Sequence, residues 1–203
     1  MKKILMVALL LAAGLGAFAQ EPYSIRTAAK AEAAAKVKEE ATANRIDAKF
    51  GYKDIKLESH ESEVIKRIKC KKVTDNSLPG AVVYAITDPA YLSIGTCETQ
   101  HVFLRFFKNK LTEIAIVAAG KGPSRCILKA LTENYGPETS TFGWDYTVSN
   151  VTRQNNWNGN KSFVYYSEDD TFTATKISIG SVSLIKTYRE YRKTLEASNK
   201  DGL

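Results

Sequence analysis

The sequence is poor in the residues that most often announce chemistry. Of 203 residues only three are cysteine and two are histidine. That excludes a cysteine-dense disulfide scaffold and leaves little material for a histidine-based metal site. Five prolines and 12 glycines exclude collagen-like and mucin-like chains, and 44% hydrophobic with 25% charged residues excludes a mostly disordered one. No phosphate-binding glycine loop, dinucleotide fingerprint, G-x-S-x-G elbow or C-x-x-C pair occurs. Beyond residue 20 the apolar runs, such as Ala81–Ile86 and Ile114–Ala119, are strand-sized, so no later segment is predicted to span a bilayer.

What is present begins with an export signal. Lys2 and Lys3 precede an apolar stretch from Ile4 to Leu15, and Ala17 and Ala19 supply the small-x-small pattern of a cleavage site before Gln20. Residues 1–19 are therefore predicted to be a signal peptide, and the product to be periplasmic or extracellular. No cysteine stands at the cleavage point for lipid attachment. The remaining 184 residues suffice for one core. Losing Lys2 and Lys3 lowers the formal charge from +7 to +5, a modest excess compatible with an anionic partner.

Residues 20–49 are rich in Ala, Lys and Glu and predict a helical arm. Ile25, Val37 and Ile46 are too few for a coiled-coil seam. A single domain is expected over 50–197, with 198–203 a frayed tail. Within the domain, Gly51–Tyr52 and Ile55–Leu57 read as an extended entry, and Ser59–Lys69 as a helix with Val64, Ile65 and Ile68 on one face. His101–Phe107 and Leu111–Ala118 form the strongest hairpin. Val102, Leu104 and Phe106 share one face of it, with Ile114, Ile116 and Ala118 on the partner strand. Pro123–Asn134 reads as a helix stopped by Gly136-Pro137. Strands follow at Phe142–Val148, at Val151–Trp157 and Lys161–Ser167 about the Asn158-Gly159 turn, and at Phe172–Ile179 and Ser181–Leu184. Ile185–Leu195 closes the domain as a helix. This order predicts an α+β fold: a mainly antiparallel sheet with two or three helices packed on one side. Strands follow a helix both after Ser59 and after Pro123, pointing to two similar halves.

The run FKNKLTEIAI at Phe107–Ile116, the helix end LTENYGPET and the Trp-bearing strand after it resemble a recurring arrangement in small uncharacterised bacterial periplasmic or secreted α+β proteins. Asn109 stands where that pattern favours Gly, and Asn134 where it favours Lys. The chain is more distantly similar to the small outer-membrane assembly lipoproteins, without their lipidated cysteine. Neither resemblance implies a catalytic residue.

Few residues are candidates for chemistry. Three cysteines in an oxidising compartment predict one disulfide and one free thiol. The favoured pair is Cys70–Cys97, and Cys97–Cys126 is the alternative. A nucleophilic pair of Cys126 with His101, or carboxylates such as Glu113, Glu133 and Asp145 meeting in a cleft, would make a hydrolase-like enzyme. Lys66, Arg67, Lys69, Lys71 and Lys72 form the densest basic cluster, a candidate contact for anionic lipid or polymer. Trp144, Trp157 and Tyr166 lie on the aromatic-rich later strands. Val164 and Tyr166 would point beneath the terminal helix or into an apolar groove. No metal, cofactor or nucleic-acid site is expected. The reading that results is an exported cell-envelope accessory or binding protein with a protein, lipid or polymer partner, and the hydrolase-like enzyme is the alternative.

Overall fold

The computed structural model describes residues 23–139, 151–169 and 174–200. The signal segment of residues 1–19 and the strand expected at Phe142–Val148, with Trp144 and Asp145, lie outside the described residues, as do residues 201–203.

Helix α1 (Tyr23–Lys49) follows from its high-propensity composition. The chain divides into two compact units, residues 1–38 and 39–203. In the first, residues 28–38 are exposed, Val37 at 67%, and Glu32 pairs with Lys36 one turn on at 3.2 Å. In the second, Thr42 and Ile46 are buried and belong to the body, so the structured body takes in the end of this helix as well as the residues from Phe50 onward.

The body continues with β1 (Gly51–Tyr52) and β2 (Ile55–Lys56), a small hairpin, then α2 (Glu61–Arg67), β3 (Cys70–Val73) and β4 (Ala81–Ile86). A 3-10 turn at Pro89–Tyr91 leads into a second small hairpin, β5 (Ser93–Ile94) and β6 (Cys97–Glu98). Next come β7 (His101–Phe107), β8 (Lys110–Ala119), α3 (Lys121–Tyr135), β9 (Val151–Asn158), β10 (Ser162–Asp169), β11 (Ala174–Ser181) and α4 (Val182–Lys200). Among the described residues there are four α-helices and a seven-stranded antiparallel sheet of order β3-β4-β7-β8-β11-β10-β9. The fold is α+β. Its sheet consists of two helix-then-strands segments, α2 to β8 and α3 to β11, whose last strands pair at the centre, Ile116 opposite Ile177.

The sequence predicts helices packed on one side of the sheet, but they lie on both. Val102, Leu104 and Phe106 of β7 and Ile114, Ile116 and Ala118 of β8 face the main core, with Ile177 and Ile179 of β11. That core also contains Ile46 of α1, Val64 of α2, and Ile127 and Leu131 of α3. On the opposite face Phe163 and Tyr165 cluster with Val182 and Ile185 of α4. The terminal helix thus covers the Phe163 and Tyr165 side, while Val164 and Tyr166 point into the main core. Gly180 makes this possible, because a Cβ there would lie 2.4 Å from the Phe163 ring. α4 starts at Val182, within the segment Ser181–Leu184 that the sequence predicts as strand, since the hydroxyls of Ser181 and Ser183 both donate to Glu58 (2.6 and 2.8 Å) and hold its first turn. It runs on to Lys200, through the start of the expected frayed tail.

Candidate functional site

A cavity of about 420 Å³ opens where the end of α1, the β1–β2 hairpin, the β5–β6 hairpin and the C-terminal half of α3 converge above β11. Its base is buried and apolar: Ile94, Leu131 and Ile179. Its sides are the rings of Tyr52 and Tyr135, exposed to only 7% and 6%. Around the opening stand Lys49, Lys53, Lys56 and Asn134, all exposed.

Local backbone geometry sets these positions. Phe50 (φ 39°) ends α1, and Gly51 (φ 154°) turns into β1 where a Cβ would lie 2.0 Å from the Ile55 carbonyl oxygen, so glycine is required. Lys53 sits in the left-handed region (φ 54°) at the tip of the hairpin. The reversal brings Lys56 back beside the helix end, where its Nζ donates to the Lys49 carbonyl at 2.8 Å. Lys49 Nζ donates to Asn134 Oδ1 at 2.6 Å and lies 4.8 Å from the centre of the Tyr135 ring. Lys53 Nζ donates to the Ala90 carbonyl and to Ser93 Oγ (3.2 Å), between the Tyr52 and Tyr91 rings at 5.5 and 5.8 Å.

Among the described residues no carboxylate pairs with Lys49, Lys53 or Lys56. Burial lowers the Lys49 and Lys53 ammonium values, against the opposing pull of Asp54 and Asp88 on Lys53. The Tyr52 phenol is pushed far up, first by burial, and its hydroxyl is shared between the Tyr91 and Ser93 carbonyls (2.9 and 2.6 Å). Burial raises Tyr135 to about 12. Its hydroxyl makes no hydrogen bond to any described residue, and its ring lies beneath the Lys49 ammonium.

The residues singled out from the sequence lie elsewhere. The disulfide is Cys97–Cys126, with Cα atoms 5.8 Å apart, and Cys70 is the free thiol. The expected Cys70–Cys97 bridge fails because Cys70 opens the edge strand β3, paired with Ile86. Cys97 instead sits on the β5–β6 hairpin, which leaves the sheet to meet α3. One disulfide and one free thiol are nevertheless what the count implies. Cys126 therefore has no thiol to offer, and His101 is exposed with its ring against Phe103 (5.8 Å). Glu113 is buried in an ion pair with Arg105 (2.8 Å), and Glu133 is exposed beside Lys129 (3.8 Å).

The basic cluster does not form one surface. Lys66 and Arg67 close α2, and Arg67 is paired with Asp54 at 3.3 Å. Lys69 is an exposed connector, and Lys71 and Lys72 are successive residues of β3 that point to opposite faces of the sheet. Lysines on an exposed edge strand have a protective role against edge-to-edge pairing.

Trp157 and Tyr166 are fully buried, not surface aromatics. Trp157 Nε1 donates to the Gly136 carbonyl at 2.9 Å, and the Tyr166 hydroxyl donates to the Ser124 carbonyl (3.2 Å) and to the Glu168 carboxylate. Among the described residues no apolar groove opens at Tyr166, which is fully buried. The cavity residues escaped sequence reasoning because the arm-to-domain boundary at Phe50 separates Lys49 from Lys53 and Lys56. The signal was the Phe50-Gly51 reversal.

The class these features define is an α+β protein with a lysine-rimmed, tyrosine-walled cavity on the helix-covered face of an antiparallel sheet. No profile of a known protein family matches the chain. No curated protein matches it either. Among solved structures it is similar to a DUF4309 family protein (YjgB) from Bacillus subtilis subsp. subtilis str. 168. The identity is 11% and the TM-score 0.43, covering 72% of this chain and 97% of that one.

Proposed function

We propose that this is an exported accessory protein of the cell envelope that binds a small ligand in the cavity between α1, α3 and the two small hairpins. The observation that carries the reading is the cavity itself. Its volume of about 420 Å³ lies in the range of small-molecule sites, and it combines an apolar base with a few convergent polar groups. The export signal read in residues 1–19 supports the envelope setting, and a disulfide is compatible with an oxidising compartment. Among the described residues no helix is long and apolar enough to cross a membrane. The hydrolase-like alternative loses its proposed nucleophile, since the Cys126 sulfur is held in the disulfide.

The test is occlusion. Asn134→Trp places an indole at the cavity mouth from an exposed position on α3. The dye 8-anilinonaphthalene-1-sulfonate should bind the wild-type chain at one site with fluorescence enhancement. Asn134→Trp should abolish that site while unfolding at an unchanged urea midpoint. Dye binding that is identical in the two proteins refutes the cavity as a ligand site.

A further inference from the structure

We infer that the cavity selects an anionic amphiphile, a molecule whose phosphate or carboxylate head meets Lys49, Lys53, Lys56 and the Tyr135 hydroxyl while its apolar body lies on Ile94 and Leu131. This rests on the small-ligand reading above and adds the chemical class of the ligand.

Three independent features point to an anion. First, three ammonium groups surround one opening and no carboxylate pairs with any of them among the described residues. Their donors go to uncharged acceptors: the Asn134 side chain, the Lys49 and Ala90 carbonyls and Ser93 Oγ. Each ammonium has three N–H bonds, so each retains donors for a ligand.

Second, the carboxylate next to Lys53 in the chain makes its hydrogen bonds elsewhere and, with Asp88, acts on Lys53 only through space. Asp54 adjoins Lys53 in the hairpin, yet its oxygens accept from Tyr91 Oη (2.7 Å) and Arg67 (3.3 Å). An anionic ligand would give these ammonium groups a directly bonded charged partner in place of uncharged ones.

Third, the Tyr135 ring lines the cavity beneath the Lys49 ammonium, and its hydroxyl has no hydrogen-bond partner among the described residues, so it is open to a ligand atom. The absence of arginine from the lining argues for point-charge recognition of the head rather than a bidentate fork. The buried aliphatic base argues for an apolar body behind it.

The experiment titrates the folded chain, residues 20–203, with hexyl phosphate, hexanoate, inorganic phosphate, hexanol and hexylamine by calorimetry at low ionic strength. Hexyl phosphate and hexanoate should bind at least tenfold more tightly than hexanol, and hexylamine should not bind. The ratio of hexyl phosphate to hexanoate distinguishes a dianionic from a monoanionic head, and inorganic phosphate isolates the head from the body. Lys49→Met/Lys53→Met/Lys56→Met should lose at least tenfold toward both acids with hexanol unchanged. Tyr135→Phe should lose about fivefold, and Lys53→Arg, which retains the charge, should keep most of the binding.

Circular dichroism and urea midpoints establish that each variant is folded. Hexanol binding as tightly as hexyl phosphate, or acid binding that survives the triple substitution, overturns the anionic class while leaving the cavity as a ligand site. Acid binding that survives Asn134→Trp overturns the cavity reading instead, and no binding of any probe at millimolar concentration overturns both.

Discussion

Opening the Cys97–Cys126 bridge should destabilise the body by about 3.6 kcal/mol. The bridge joins residues 29 apart. Releasing a loop of that length restores to the unfolded chain an entropy of about 12 cal/mol/K in the chain-entropy model, or about 3.6 kcal/mol at 25 °C. For a domain of this size each kcal/mol shifts Tm by about 2–4 °C, so a fall of about 7–14 °C is expected. The bridge also ties together two sides of the cavity: Ser93, Ile94 and Gly95 belong to the hairpin that carries Cys97, while Leu131, Asn134 and Tyr135 belong to the helix that carries Cys126. Reduction should therefore weaken ligand binding several-fold at temperatures where the protein remains folded. The assay is urea unfolding and hexyl phosphate titration of the oxidised chain, the reduced chain and Cys97→Ala/Cys126→Ala. Coincident unfolding curves for the oxidised and reduced chains would refute the reasoning. So would peptide mapping that places Cys70 in the bridge.

Asp47→Ala should cost about 2–3 kcal/mol in urea unfolding, because its carboxylate accepts from the amides of Asn160, Lys161 and Ser162 (2.8, 3.0 and 3.0 Å) and so holds the β9–β10 turn to α1. A loss below about 0.5 kcal/mol would contradict that role. Trp157→Phe leaves the Gly136 carbonyl without its indole donor and should cost about 1–3 kcal/mol, whereas Trp157→Ala, which also empties a fully buried site, should cost about 3–5 kcal/mol. Alkaline pH should destabilise the chain through its buried phenols. Tyr135 keeps its proton to about 12 in the fold but ionises near its ordinary 10.0 when unfolded, so the unfolded state releases the proton first. Stability is fully present below about pH 10 and falls as pH rises toward 12, by up to about 3 kcal/mol from this residue. The lowered lysines Lys49 and Lys53 oppose this weakly because they are exposed. Urea midpoints measured from pH 8 to about 11.5 in wild type and Tyr135→Phe check it, and a Tyr135→Phe curve parallel to wild type would exclude the contribution of Tyr135.

The central hairpin and the helix after it were legible because each has one buried face and firm punctuation. The period-two set Val102, Leu104 and Phe106 faces the core as read, and Gly136 (φ 90°) stops α3 one residue past Tyr135. The Asn158-Gly159 signal likewise marks the turn between β9 and β10. Alternation fails as a guide in β10, where Phe163, Val164, Tyr165 and Tyr166 are all buried because helices cover both faces, and a run apolar on both sides does not say which face meets which helix. Disulfide choice failed for a related reason. Pairing depends on where a short hairpin lands in space, and β5–β6 carries no long periodic pattern to announce that it folds onto α3. Charge density along the chain was also misleading. Lys66 to Lys72 are neighbours in sequence and are divided between a helix end, a connector and two faces of a strand, whereas Lys49, Lys53 and Lys56 are spread over a helix end and a hairpin and converge on one opening.

The two basic groups are nevertheless connected, and the connection runs through Asp54. Within the β1–β2 hairpin this carboxylate adjoins Lys53 in sequence and acts on its ammonium through space. The end of α2 places Arg67 against one of its oxygens and the 3-10 turn places the Tyr91 hydroxyl against the other. An exposed pair such as Asp54–Arg67, with side chains 57% and 52% accessible, contributes little to stability. Its effect is positional: Asp54 bonds to Arg67 and Tyr91, while Lys53 donates to the uncharged Ala90 carbonyl and Ser93 hydroxyl. The positive groups at the cavity are thus set by four elements. The end of α1 supplies Lys49 and the hairpin Lys53 and Lys56, the 3-10 turn supplies the tyrosine and α2 supplies the arginine. Among the residues first marked as a binding patch, Arg67 bears on the cavity through the acid it holds away from it.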